Sequence, residues 1–200
     1  MNFYENLTNN LYNFFTCFPE YVERWDNTVR KTIPDINLVL SLAECYIDVK
    51  DDIRMFSEVE ENTDLVHLQR KTRTTVALNL EENMSRIRKN QDSLFVIVED
   101  LLTKLDAIER AASKVPEINS STGNFYNIPR LNRLREYAED ATKFYQTLYL
   151  QIDTAMSNVD YMELLSIKDL LNTWDQKAAS DPHIREILAF ITFTNPQNAA

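Results

Sequence analysis

One glycine, Gly123, stands in a chain of 200 residues. Average usage would supply roughly fourteen. Hairpin turns and β-bulges draw on glycine for positive φ, so a sheet-rich fold is effectively ruled out. The same scarcity removes glycine-rich phosphate loops, because neither GxGxxG nor GxxxxGK[ST] can be written with one glycine. The chain must therefore build itself from helices. Its 44% hydrophobic and 26% charged residues suit a folded protein rather than a disordered one.

Helical periodicity runs almost throughout. A first segment covers about residues 3–16, and Pro19 is expected to interrupt it. From Glu20 onward, Val22, Trp25, Val29, Thr32, Ile36, Val39, Ala43 and Tyr46 alternate spacings of three and four, which is a heptad seam. Pro34 falls inside this seam and predicts a kink or short break. Residues 51–64 are acidic and read as a loop. The next helix is predicted over Asp64–Ser113, with a seam of Leu80, Met84, Ile87, Gln91, Leu94, Val98, Leu101, Leu105 and Ile108, apolar at eight of nine positions. Residues 114–128, with Pro116, Ser120, Ser121 and Gly123, form the one clear linker. Pro129 suits the first turn of a third long helix. Its seam is Leu131, Leu134, Ala138, Ala141, Tyr145, Leu148, Ile152, Ala155 and Val159. A shorter helix is predicted over Tyr161–Lys177, and a last one opens at Asp181-Pro182, an N-cap followed by a first-turn proline. The expected fold is all-α: an elongated antiparallel helical bundle with coiled-coil-like long helices. It forms one domain over 1–200 with 114–128 as internal linker.

Little in the sequence supports covalent chemistry. The two histidines, His67 and His183, are far apart. Asp64 and His67 have the i, i+3 spacing of di-iron bundles, but such a site needs a second pair and further inward carboxylates. A surface helix position is the plainer reading, and no metal or cofactor is expected. Cys17 and Cys45 form no CxxC and have no histidine near them in sequence, so they read as small hydrophobes of a reducing compartment. No GxSxG elbow occurs. No catalytic residue is assigned, and the expected protein is not an enzyme.

Charge narrows the partners. With 21 Lys+Arg against 31 Asp+Glu the net charge is −10, a poor general binder of DNA, RNA or anionic membrane. Neither a signal peptide nor a membrane span is evident. Basic residues occur in short clusters: Arg70-Lys71-x-Arg73, Arg86-x-Arg88-Lys89, and Arg130 with Arg133 and Arg135. Arg70 and Arg73 share a helix face and could touch phosphate or an acidic partner, although a solvated face explains them as simply.

The informative excess is apolar. Around the Leu94/Val98 seam, Phe95 takes an e position, Val96 an f and Ile97 a g; an f position normally faces water. Tyr149 and Leu150 flank Leu148 in the same way. Either the short terminal helices cover these faces, or a partner helix does. A slender bundle has little interior to hide them in, which favours a partner.

These residues bring a family into view. Cys17-Phe18-Pro19, Trp25, Leu42-Ala43-Glu44, the stretch Leu68-Gln69-Arg70-Lys71, and Tyr145-x-x-x-Tyr149-Leu150 followed by Leu164-x-x-Ile167-x-x-Leu170-x-x-x-Trp174-Asp175 occur in an order and spacing that resemble the AIRIM family. A closing amphipathic helix with Ile187, Leu188 and Phe190 agrees. The linker around 114–128 and the acidic loop near Glu58 depart from the family pattern. The resemblance covers nearly the whole chain and implies a non-enzymatic adaptor. Its partners would be an AFG-type hexameric AAA ATPase, a small helical protein of the CINP type and, indirectly, the pre-ribosomal large subunit. The implied work is late maturation of that subunit through release and recycling of a shuttling factor, with a further replication-linked role in proteostasis. The implied setting is cytoplasmic and nuclear, with no membrane and no sequence-specific nucleic-acid contact.

Under this reading the candidate partner-binding residues are Trp25, Arg70, Arg73, Phe95, Val96, Tyr145, Tyr149 and Trp174. Large aromatics dominate interface energetics, while simple core packing is the competing account of Trp25, Tyr145, Tyr149 and Trp174. Rival functions for such helices are a structural subunit of a tethering or scaffold complex, and a BAR-like membrane bundle. The latter needs a strongly basic face that this charge balance opposes.

Overall fold

In the computed structural model, residues 3–56, 63–115, 128–176 and 178–194 are described. They form α1 (Phe3–Phe56), α2 (Thr63–Ala112), α3 (Ile128–Ser157), α4 (Leu164–Trp174), a 3-10 turn (Ala178–Ser180) and α5 (Pro182–Thr194), and no strand among them. The fold is all-α, as the periodicity predicts.

Two expectations about α1 need correction. It breaks at neither Pro19 nor Pro34, and residues 51–56 of the predicted acidic loop continue it to Phe56. Residues 57–62 of that loop, and most of the predicted linker at 116–127, lie outside the described residues. A mid-helix proline costs about 3 kcal/mol through its missing N–H and its ring clash. Phe14, Phe15, Phe18, Tyr21 and Val22 are all buried around Pro19, while the proline itself is exposed. Each buried large apolar side chain contributes roughly 1.5–3 kcal/mol, so packing on either side outweighs the local penalty.

The chain divides into two compact units, one of residues 1–27, 94–150 and 177–200, the other of residues 28–93 and 151–176. In the first unit, α1 and α2 run antiparallel. Asn10 donates to the Ala107 carbonyl at 3.2 Å, and further along α1 Tyr21 feels the charge of Asp100, earlier on α2. The core is aromatic. Phe14 stacks on Phe18 at 5.8 Å, and Tyr145 receives the edges or faces of Phe18, Trp25 and Phe144 at 6.1, 5.0 and 5.4 Å. The α5 helix starts as predicted: Asp181 Oδ1 accepts from the backbone N–H of His183 at 2.8 Å and of Ile184 at 3.2 Å.

In the second unit α1 and α2 are again antiparallel, tied by Arg86 to Asp35 at 3.1 Å and by Arg73 to the Tyr46 hydroxyl at 3.0 Å. Its core holds Val29, Ile36, Val39, Leu80, Met84 and Ile87 from the two seams, with Ile167, Leu170 and Trp174 from α4. Two polar residues in this interior are satisfied within their own helix. Thr32 donates to the Thr28 carbonyl at 2.8 Å, and Asn83 to the Asn79 carbonyl at 2.7 Å.

Candidate partner-docking surface

The apolar excess noted in the sequence sits, in the first unit, where α2 and α3 lie side by side. Phe95 of α2 faces Tyr149 of α3 with ring centroids 5.4 Å apart. Glu109 faces Arg135 through an ion pair of 2.7 Å. Both pairs are separated by fourteen residues on each helix, in opposite directions, which is the register of two antiparallel helices with heptad seams. Leu94, Val98 and Leu101 turn inward and are buried, as are Ala141, Tyr145 and Leu148 opposite. The next positions cannot point inward. Phe95 is 44% exposed, Val96 49% and Leu150 54%, with Tyr149 half-buried between them. Glu99, one turn past Phe95, and Gln146, one turn before Leu150, supply exposed polar edges. Partly exposed apolar side chains here have exposed polar residues at their edges, the general make-up of protein interaction patches.

The remaining candidates fall in different places. Trp25 and Tyr145 are fully buried against each other in the first core, and Trp174 is fully buried in the second. Helix positions at the seam point inward, and burying a Trp or Tyr there outweighs exposing it. Core packing accounts for all three in this structure. The Trp25 indole N–H and the Tyr145 hydroxyl nevertheless find no hydrogen-bond partner among the described residues. Burial, then the charges of Asp26 and Asp181, push the Tyr145 hydroxyl far above the ordinary tyrosine range. Arg70 is exposed on α2. Arg73 is committed to Tyr46, donating to its hydroxyl and lying 5.0 Å over its ring, so the two arginines do not form one clamp.

Two polar constellations escaped the sequence reading. In the first unit Tyr137 joins α3 to α5. Its hydroxyl donates to Glu186 at 2.7 Å and accepts from Arg133 at 2.9–3.0 Å, while its ring packs on Phe190 and His183 at 5.3 and 6.3 Å. His183 Nε2 also lies 3.3 Å from Asp140. In the second unit Gln91, the one polar member of the α2 seam, donates to Asp153 at 2.8 Å, and Tyr161 donates to Glu81 at 3.2 Å. The seam gap at Gln91 was the available signal for that site; for Tyr137 only the i, i+4 spacing from Arg133 was visible, since Glu186, His183 and Phe190 come from a helix almost fifty residues on. Among the described residues no group of three or more His, Cys, Asp or Glu could hold a metal, and no helix is long and apolar enough to cross a membrane.

Against known protein families, residues 5–193 match the family described as ribosome biogenesis protein C1orf109-like. The chain belongs to that family. This is the AIRIM family that the sequence motifs resemble, and the match spans both compact units. Membership places the protein in ribosome biogenesis. No curated protein matches the chain.

Proposed function

We propose that this C1orf109-like protein is a non-enzymatic adaptor of an AFG-type hexameric AAA ATPase acting in late maturation of the large ribosomal subunit. In this role it joins a small helical protein of the CINP type, and ATP hydrolysis belongs to the ATPase. The complex releases and recycles a shuttling factor, in the cytoplasm and nucleus, and the same machinery serves replication-linked proteostasis. The observation that carries the reading is the Phe95–Tyr149 strip: paired, partly exposed aromatics with exposed Val96 and Leu150 beside them, on two long helices. Family membership supplies the biological process, and the strip supplies a means of gripping another helix.

Affinity purification of the tagged full chain from native lysate, followed by quantitative mass spectrometry, tests it. A hexameric AAA ATPase and a small helical protein should be recovered together in fixed ratio. Recovery of only membrane-coat or kinetochore subunits would overturn the adaptor reading.

A further inference from the structure

Within the second unit, the inward seam of α1 has a counterpart on the opposite side of the same helix. Thr32, Ile36, Val39 and Ala43 are buried. Lys31, Pro34, Leu38, Ser41, Cys45 and Asp48 are all exposed, and they too alternate spacings of three and four. That spacing keeps side chains on one face, here over roughly 25 Å at about 1.5 Å per residue. The charges on this face are polarised along the helix. Arg30 and Lys31 make one end basic, and Glu44 and Asp48 make the other acidic. None of these four makes an ion pair among the described residues, whereas Asp35, at the edge of the face, is held by Arg86 at 3.1 Å. Between the charged ends lies Leu38, 44% exposed, with the uncharged Pro34, Asn37 and Ser41 around it.

We propose that this face pairs with the same face of a second copy of the chain, the two α1 helices running antiparallel. Charge complementarity selects this occupant. Turned end for end about a two-fold axis between Val39 and Leu40, the outward spacing falls on itself. Lys31 comes opposite Asp48, Pro34 opposite Cys45, and Leu38 opposite Ser41. Each contact then occurs twice, as a two-fold interface requires. The two leucines meet near the axis, each a knob beside the small side chain of Ser41. Glu44 turns towards Asn37 of the other copy rather than towards a carboxylate. A parallel copy would instead set Lys31 against Lys31 and Asp48 against Asp48. A partner helix of one charge sign would satisfy one end of the face and be repelled by the other. The face lies on α1, away from the α2–α3 docking strip, and the pairing does not depend on which protein covers that strip.

Sedimentation equilibrium of the purified full-length chain tests this, with melting temperature as the check on folding. One helix face with a single leucine from each copy is smaller than a tight interface, so the expected dissociation constant is on the order of 100 µM. Lys31→Glu and Asp48→Lys each place like charges at both ends of the pair, and each should weaken dimerisation by about tenfold or more. The two substitutions together re-create the ion pairs in reverse and should return the constant to within about threefold of the natural value. A chain that stays monomeric at about 1 mM, a dimer indifferent to Lys31→Glu, or a combined variant weaker than either single one would each overturn the proposal. So would loss of a different protein from native complexes of Lys31→Glu while the purified natural chain is monomeric, since the face would then belong to that protein.

Discussion

Tyr145 shows how a single residue can be central to packing and still carry a penalty. Its ring meets Phe18, Trp25 and Phe144, yet its hydroxyl is buried without a partner among the described residues. A buried unsatisfied donor costs about 1–3 kcal/mol. Tyr145→Phe keeps the ring and removes the donor, so we expect the free energy of urea unfolding to hold or rise, by 0 to about 2 kcal/mol. A fall of that size would show that the hydroxyl is satisfied after all. The same residue sets an alkaline limit. The folded state holds the Tyr145 proton more tightly than the unfolded chain does. Stability from this source is therefore complete below the ordinary tyrosine value, about pH 10. Above it the unfolded state releases the proton first, and stability falls by about 1.4 kcal/mol per pH unit. Unfolding free energies measured between pH 9 and about pH 11 should slope downward in the natural protein and be flatter in Tyr145→Phe; parallel curves would contradict this.

At the scale of elements, the long helices were legible because their seams are strict. Nearly every seam position of α2 is buried, and Gln91, the exception in polarity, is buried too. The caps were also legible, since Asp181-Pro182 is a local signal. The continuity of α1 was not. Proline's penalty is local and visible in sequence, whereas the flanking burial that overrides it depends on partners far along the chain, as in the contact of Phe18 with Tyr145. Pro34→Ala restores an N–H in a helix that already exists there. It should stabilise the protein by about 1–3 kcal/mol in chemical denaturation. A loss of stability would mean that the proline sets a geometry the second core requires. The Gln91–Asp153 pair was illegible for another reason: it requires the register of α2 on α3, and composition carries no register. Tyr161, in the turn before α4, adds a partner that no periodicity predicts.

For the whole molecule, the relation of structure to work is one of surfaces. Each unit has its own apolar core, so the aromatic residues with the greatest bulk, Trp25, Tyr145 and Trp174, hold the fold. The exposed apolar residues Phe95, Val96 and Leu150 lie beside the seams, at positions where a heptad pattern ordinarily places polar groups. That distinction was only half visible in sequence, because a seam aromatic and a flanking aromatic read alike until the register is known. A net charge of −10 disfavours indiscriminate contact with RNA, and we propose that selective contacts fall to local features such as the exposed Arg70. Reversing its charge should therefore change association with pre-ribosomal particles while leaving thermal stability within about 0.5 kcal/mol of the natural protein. Unchanged association, read by sucrose-gradient sedimentation, would remove Arg70 from the account.

The most direct measurement compares the natural chain with Phe95→Asp and Val96→Asp, purified in native complexes, with melting temperature as the check on folding. A central apolar anchor contributes about 2 kcal/mol or more, so recovery of the AAA ATPase or the small helical partner should fall by at least about thirtyfold while melting is unchanged. Full recovery of both partners by a well-folded double variant would contradict the claim that the α2–α3 strip is the gripping surface.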